Sequence, residues 1–180
     1  IHLRSAASGA LPGDSAEDFF KAWLQYRTGG TCWAGNGALC TLLLTLGFAA
    51  RRGIATMLVA PDLLPNHGTV SVDLAGARYL VDASMLHVEP LLLKSGTVTT
   101  IDHPAWGVHA TERDRLWHIR WRSIHLPDGI DCRIEQLSAT RAEFSERHAQ
   151  TRAWSPFNYE LHARRILGNS IVGVALGQRI

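Results

Sequence analysis

Helices first and strands afterwards make α+β the expected fold class. Apolar residues recur at helical spacing twice within the first 50 residues, and from about residue 51 the apolar runs shorten and alternate as strands do. Helix and strand patterns do not interleave as βαβ units require, which argues against a doubly wound sheet. The switch near Arg51 divides a helical lobe, 1–50, from a β-rich lobe, 51–180. The 180 residues suit one compact unit, and 46% hydrophobic against 19% charged residues exclude a disordered chain.

Asp14-Ser15-Ala16-Glu17-Asp18 sets a capping residue ahead of carboxylates, and Phe19, Phe20, Trp23 and Leu24 follow on one helical face. A helix over about 15–26 is predicted. Gly29-Gly30 separate it from Cys32, after which Leu39, Leu42, Leu43 and Leu46 trace a second, buried helix that Gly47 terminates. Ile54 and Val59, then Val70, Val72, Leu74, Tyr79 and Val81, mark strands punctuated by Pro61, Pro65 and Gly76. A two-residue turn at Ala75-Gly76 pairs Val72 with Tyr79 and Val70 with Val81 on one apolar core face. Ser71, Leu80, Thr69, Asp82 and, if the strand reaches it, His67 take the other face. Trp117-His118-Ile119-Arg120-Trp121 alternates as a strand, Pro127-Asp128-Gly129 signals a turn, the polar stretch 135–150 suits a short helix, and Ile171 to Leu176 predicts a last strand.

A net charge of +2 lacks the basic excess that phosphate-backbone binding needs, so nucleic acid is not an expected partner. Sixteen Arg against two Lys is read as codon composition rather than function. The longest nearly apolar stretch, Ala38 to Ala50, is too short to span a bilayer, and Ile1-His2-Leu3-Arg4 does not read as a secretory leader. No membrane partner is expected. Three cysteines without a CxxC pair make neither a disulfide framework nor a zinc site, which points to a reducing cytoplasm. His87, His103, His109, His118 and His125 match no ligand spacing, so no metal is expected.

The chemistry concentrates at Cys32. It follows Gly29-Gly30-Thr31 and opens a helix, where unpaired amides and the positive dipole end favour a thiolate. The amides near Cys32 and Trp33 could donate to a developing oxyanion. Asp82 falls opposite Thr69 and diagonal to His67, within cross-strand reach, so it could orient the imidazole that takes the thiol proton. Two alternatives stay open at this point: a small residue filling a helix start, and an unrelated loop His beside a capping Asp. Cys40, among leucines, reads as a core thiol with a raised pKa; Cys132, after a turn, is expected to be exposed.

These residues resemble a family. Arg27-Thr28-Gly29-Gly30-Thr31-Cys32, Asn36-Gly37 and the leucine-rich helix closing at Leu46-Gly47-Phe48 are similar to the Arg-Gly-Gly-x-Cys segment, Asn-Gly and following helix of the arylamine N-acetyltransferases. His67 and Asp82 match the order and approximate spacing of that family's catalytic His and Asp, and Trp154-Ser155-Pro156-Phe157-Asn158 resembles its Ser-Pro-Phe segment. The resemblance implies a helical lobe followed by an antiparallel β-barrel-like lobe, with Cys32 as acyl acceptor, His67 as base and Asp82 as orienter. It further implies acetyl-coenzyme A or another acyl thioester as co-substrate, an arylamine or hydrazine as acceptor, and no permanently bound cofactor. Trp33, Ser84, Met85 and Phe157 are candidate substrate contacts.

The pattern departs in places: Thr28 precedes the glycine pair, Ala34 replaces a glutamate, and Asp82-Ala83-Ser84-Met85 replaces Asp-Val-Gly-Phe. By this resemblance the family's upstream helical bundle and its C-terminal lid are expected to lie outside these 180 residues. Other readings of the same residues are an amide synthase fed by an acyl carrier protein or polyketide thioester, a transglutaminase-like or cysteine-peptidase-like enzyme, and a silent binding domain of this fold.

Overall fold

The computed structural model describes residues 9–85, 88–123, 126–175 and 177–179. Helix α1 (Ala16–Tyr26) starts where Ser15 accepts a 3.0 Å bond from the Asp18 amide, and it ends at Arg27, whose φ of 57° breaks the helical path. Its apolar face is only partly covered: Phe19 and Phe20 are half-buried, while Trp23 and Leu24 are exposed. Helix α2 (Cys32–Thr45) begins at the predicted cysteine.

The leucines do not form the buried face of α2 as predicted. Leu42, Leu44 and Leu46 are exposed, whereas Trp33, Ala34, Asn36, Ala38 and Cys40 are buried. Small residues let the helix lie close to the sheet, and a Cβ added at Gly37 would already touch the Phe144 ring at 3.4 Å.

Strand β1 (Ala49–Met57) follows, then β2 (His67–Leu74), β3 (Ala77–Val81), β4 (Leu91–Leu93), β5 (Thr99–His103), β6 (Trp106–Arg113), β7 (Leu116–Ser123) and β8 (Leu126–Ala139). They form one antiparallel sheet in the order β4-β3-β2-β1-β8-β7-β6-β5. The sheet curls into a nearly closed barrel, and at its seam the Thr99 hydroxyl donates to the Leu92 carbonyl. Helix α3 (Arg141–Gln150), capped reciprocally by Thr140 and Glu143, occupies part of the polar stretch. A three-stranded sheet of β9 (Ala163–Leu167), β10 (Ser170–Ala175) and β11 (Gln178–Arg179) closes the chain.

The β2–β3 hairpin has the predicted register, Val70 opposite Val81 and Val72 opposite Tyr79. Its turn takes φ 50° at Ala75 and 78° at Gly76, two left-handed residues in succession as a tight hairpin requires. Both faces of β2 are buried. Val70 and Val72 pack with Cys40 and Ala50 on the helix side, while Leu80 belongs to the barrel core with Ala55, Trp106, Ile119 and Ile134. Between the two, Trp33, Ile54, Ala139 and Phe144 join α2 and α3 to the outer face of β1 and β8.

Two local expectations change. Pro127-Asp128-Gly129 lies inside β8, where the pairing with β7 slips between Trp121 and Ser123 and Gly129 takes φ 83°, so the turn signal marks a bulge. Cys132 is fully buried in the barrel core rather than exposed, because β8 runs inward past it opposite Ile119. His87, His125, Leu176 and the segment Ile1–Arg4 lie outside the described residues.

Candidate active site

Cys32 is the first residue of α2. The Thr31 side chain makes no capping bond, and the first intrahelical bond runs from the Gly35 amide to the Thr31 carbonyl at 2.9 Å. The amides of Cys32, Trp33 and Ala34 therefore have no acceptor inside the helix, and the positive end of the helix dipole lies at the sulfur. The thiol is half-buried, with the Asn66 carbonyl 3.9 Å from Sγ. Asn66 is itself fixed: its side chain brackets Met57, accepting from the amide at 2.8 Å and donating to the carbonyl at 3.2 Å. That extends the β1–β2 ladder by one side-chain rung.

His67, the first residue of β2, is opposite Ala55 on the barrel side. Its Nε2 is 2.8 Å from Asp82 Oδ2, and both side chains are buried. Burial works against a charged imidazole, but the Asp82 carboxylate and the Cys32 sulfur, by charge and hydrogen bond, hold its pKa well above the ordinary 6.5. With Nε2 committed to Asp82, Nδ1 is the nitrogen left for the sulfur.

Asp82 follows β3 directly. Its Oδ1 accepts from the Asn36 amide group at 3.0 Å, the Ser84 and Met85 backbone amides at 2.9 and 3.2 Å, and the Ser84 hydroxyl at 2.6 Å. Asn36 ties the three elements together. One turn after Cys32 on α2, fully buried, it also donates to the Gly68 carbonyl at 2.6 Å and accepts from the Ala83 amide at 2.9 Å. Sequence reasoning placed Asn36 only as part of a motif; an amide in an otherwise apolar helix, four residues from the thiol, was the available signal.

Cys32, His67 and Asp82 are thus brought together. Of the candidate substrate contacts, Trp33, Ser84 and Met85 adjoin these residues but are buried or already bonded. Trp33 is buried against Phe144, ring centroids 5.0 Å apart; Met85 is fully buried in the barrel core; the Ser84 hydroxyl is spent on Asp82. Phe157 keeps an exposed ring, edge-on to His162 at 5.1 Å. Arg27, the displaced arginine, is an exposed helix end. The Ala34 methyl fills a space closed by two glycines, since a Cβ added at Gly13 or Gly30 would lie 2.8 or 2.9 Å from it. Cys40 and Cys132 are buried, and burial pushes the Cys132 thiol up to about 12. Among the described residues, His, Cys, Asp and Glu form no cluster suited to a metal, and no helix is long and apolar enough to cross a membrane.

Comparisons with known proteins bear on the family and the fold. A family model described as N-acetyltransferase matches residues 15–127, more than half of the chain, including Cys32, His67 and Asp82. Among solved structures, the arylamine N-acetyltransferase of Mycobacterium marinum in complex with CoA is similar with a TM-score of 0.76 at 19% identity, over 96% of this chain and 67% of that one. The M. tuberculosis enzyme gives 0.74 at 22% identity, over 96% and 68% of the two chains. An arylamine N-acetyltransferase of Bacillus cereus, described as having a unique Cys-His-Glu catalytic triad, gives 0.75 at 13% identity, over 96% and 70%. At such identities the likeness is one of fold. No curated protein matches the sequence. The family match covers both N-terminal helices and β1 to β7, so the chain belongs to the N-acetyltransferase family, and the solved arylamine N-acetyltransferases share its fold.

Proposed function

We propose that the protein moves an acyl group, acetyl in the first instance, from a thioester donor to an amine through an acyl-Cys32 intermediate, with an arylamine or hydrazine as acceptor. The observation that carries this reading is the His67–Asp82 pair, 2.8 Å apart and buried, acting on a thiol at the open N-terminus of α2. His67 takes the Cys32 proton on Nδ1, and the sulfur attacks the thioester carbonyl. The carbon–sulfur bond to the donor breaks, and the departing thiolate takes the proton back from His67. In the second half-reaction the amine attacks acyl-Cys32, loses its proton to His67, and the Cys32 sulfur leaves and is reprotonated. The free amides at the start of α2 supply donors for the oxyanion in both steps. Asp82 holds the tautomer and stabilises the imidazolium.

The CoA bound in the M. marinum structure supports a CoA thioester as donor here. Phe157, with its exposed ring, is assigned to the acceptor, while Trp33, Ser84 and Met85 support the site from behind. Intact mass after mixing with acetyl-CoA, and separately with longer acyl-CoAs, tests the reading, with Cys32→Ala as control. One acyl adduct is expected, absent in the variant and discharged by an aromatic amine. No adduct with any acyl-CoA on folded protein would overturn it.

A further inference from the structure

Ser84 brings a hydroxyl to Asp82. Its Oγ donates to Oδ1 at 2.6 Å, the shortest contact on that oxygen and in the range of a charge-assisted O–H···O⁻ bond. The Ser84 and Met85 backbone amides and Asn36 also donate to Oδ1, whereas Oδ2 meets His67 at 2.8 Å. A hydrogen bond to one carboxylate oxygen draws negative charge from the other and makes the group less basic. Removing the hydroxyl leaves the backbone donors and Asn36 in place, so the turn is still held while the charge on Oδ2 rises.

We propose that Ser84 is a positioning residue that tempers the Asp82–His67 pair, its hydroxyl setting how firmly the carboxylate keeps a proton on the imidazole. The inference rests on the Cys32–His67–Asp82 reading and adds a control on it. In the transfer cycle His67 must give its proton back to a departing thiolate, and an imidazolium held too firmly does this slowly. The structure already biases His67 towards the charged form through Asp82 and Cys32. Ser84 works in the opposite direction, at a position where this chain departs from the family pattern.

The neighbouring groups make the effect readable. Helix α2 presents Cys32 and the neutral Asn36; β1 brings Gly53 opposite Thr69 and Ala55 opposite His67; β3 contributes Leu80. From β8 comes Cys132, on which His67, Asp82, Cys32 and Glu135 all act; burial keeps its thiol up at about 12, so it stays protonated throughout the range of interest. Cys32 is the other group acting on His67 by charge and hydrogen bond, and Cys32→Ala removes it.

The test is an NMR titration of the His67 ring in a Cys32→Ala background, its signal assigned by loss in His67→Gln. Ser84→Ala should raise the titration midpoint by about half a unit, roughly threefold in proton affinity, and Ser84→Thr should restore it. Ser84→Gly, which also lacks the hydroxyl, should move the midpoint the same way and serves if Ser84→Ala folds poorly. In protein with Cys32 intact, the alkaline limb of the acyl-transfer profile should move in parallel. An unmoved or lowered midpoint in folded Ser84→Ala and Ser84→Gly overturns the role of Ser84, whether or not Cys32 acylates. A raised midpoint with no acyl adduct supports Ser84 and overturns acyl transfer instead.

Discussion

Asn36 shows how much one buried side chain decides. It bonds Gly68, Asp82 and Ala83 at once, so Asn36→Ala would strand a buried carbonyl and an amide and loosen the carboxylate. We expect a loss of about 2–3 kcal/mol in urea unfolding and a fall in acyl transfer of about a hundredfold or more. Wild-type stability and rate in the variant would remove Asn36 from the site. The three thiols divide as sharply. Iodoacetamide added to native protein at mildly alkaline pH should label Cys32 alone, because Cys40 and Cys132 are buried and burial holds both thiols protonated. Peptide mapping that found Cys132 labelled in folded protein would contradict its place in the barrel. The closeness of His67 and Asp82 was legible in the sequence because parity in a hairpin is a local rule, and the pair obeys it. The bonds of Asn36 were not, since its partners lie 32 to 47 residues away; Ser84 bonds Asp82 only two residues before it, but reads from the sequence as a substrate contact.

At the scale of elements, the site depends on how closely α2 and α3 lie on β2. Gly68 is the contact point: a Cβ there would meet the Trp33 ring at 2.7 Å and the Phe144 ring at 2.7 Å, both held in a packed cluster. Gly68→Ala should therefore push α2 off the sheet, costing about 1–3 kcal/mol and moving Cys32 away from His67. Acylation by acetyl-CoA should slow far more than thermal stability falls, and equal, small effects on both would show that the cluster yields. Ala34→Glu tests the other side of α2, where the methyl fills the space between Gly13 and Gly30. The larger side chain should displace that loop and destabilise the protein. The sequence's helix periodicity found both N-terminal helices but misassigned the inner face of α2. Leucines are the better hydrophobes, yet α2 turns Trp33, Ala34, Asn36, Ala38 and Cys40 inward and leaves Leu42, Leu44 and Leu46 outside. Likewise a Pro-Asp-Gly signal is the same for a turn and for a bulge, and only the pairing of β7 with β8 separates them.

For the molecule as a whole, barrel closure was the least legible feature. It depends on β1 pairing with β8, Arg52 opposite Ala139 and Met57 opposite Cys132, which joins the two halves of the sheet, and on β4 meeting β5 at the seam, contacts that no local pattern encodes. That closure buries His67 and Cys132 together and gives the whole protein a pH dependence of predictable sign. His67 has a folded pKa well above the unfolded 6.5, so it adds stability in full below about pH 6.5 and loses it as pH rises through the folded value. Cys132 acts in the same direction at higher pH. The unfolded thiol releases its proton near 9 while the native one keeps it up to about 12, so unfolding becomes easier across that window. On the acid side Asp73, held down at about 2 by Arg78 and Arg51 across three strands, loses its contribution as pH falls from about 4. It is solvent-exposed, so that edge should be shallow and weakened by salt. Urea midpoints measured from about pH 4 to 10 should therefore form a plateau that ends near pH 6.5 and then declines, the first part of the decline disappearing in His67→Gln. A midpoint that climbed up to about pH 6.5 and then stayed level to about pH 9 in the wild type would mean that His67 is buried neutral, and that Asp82 does not hold its proton.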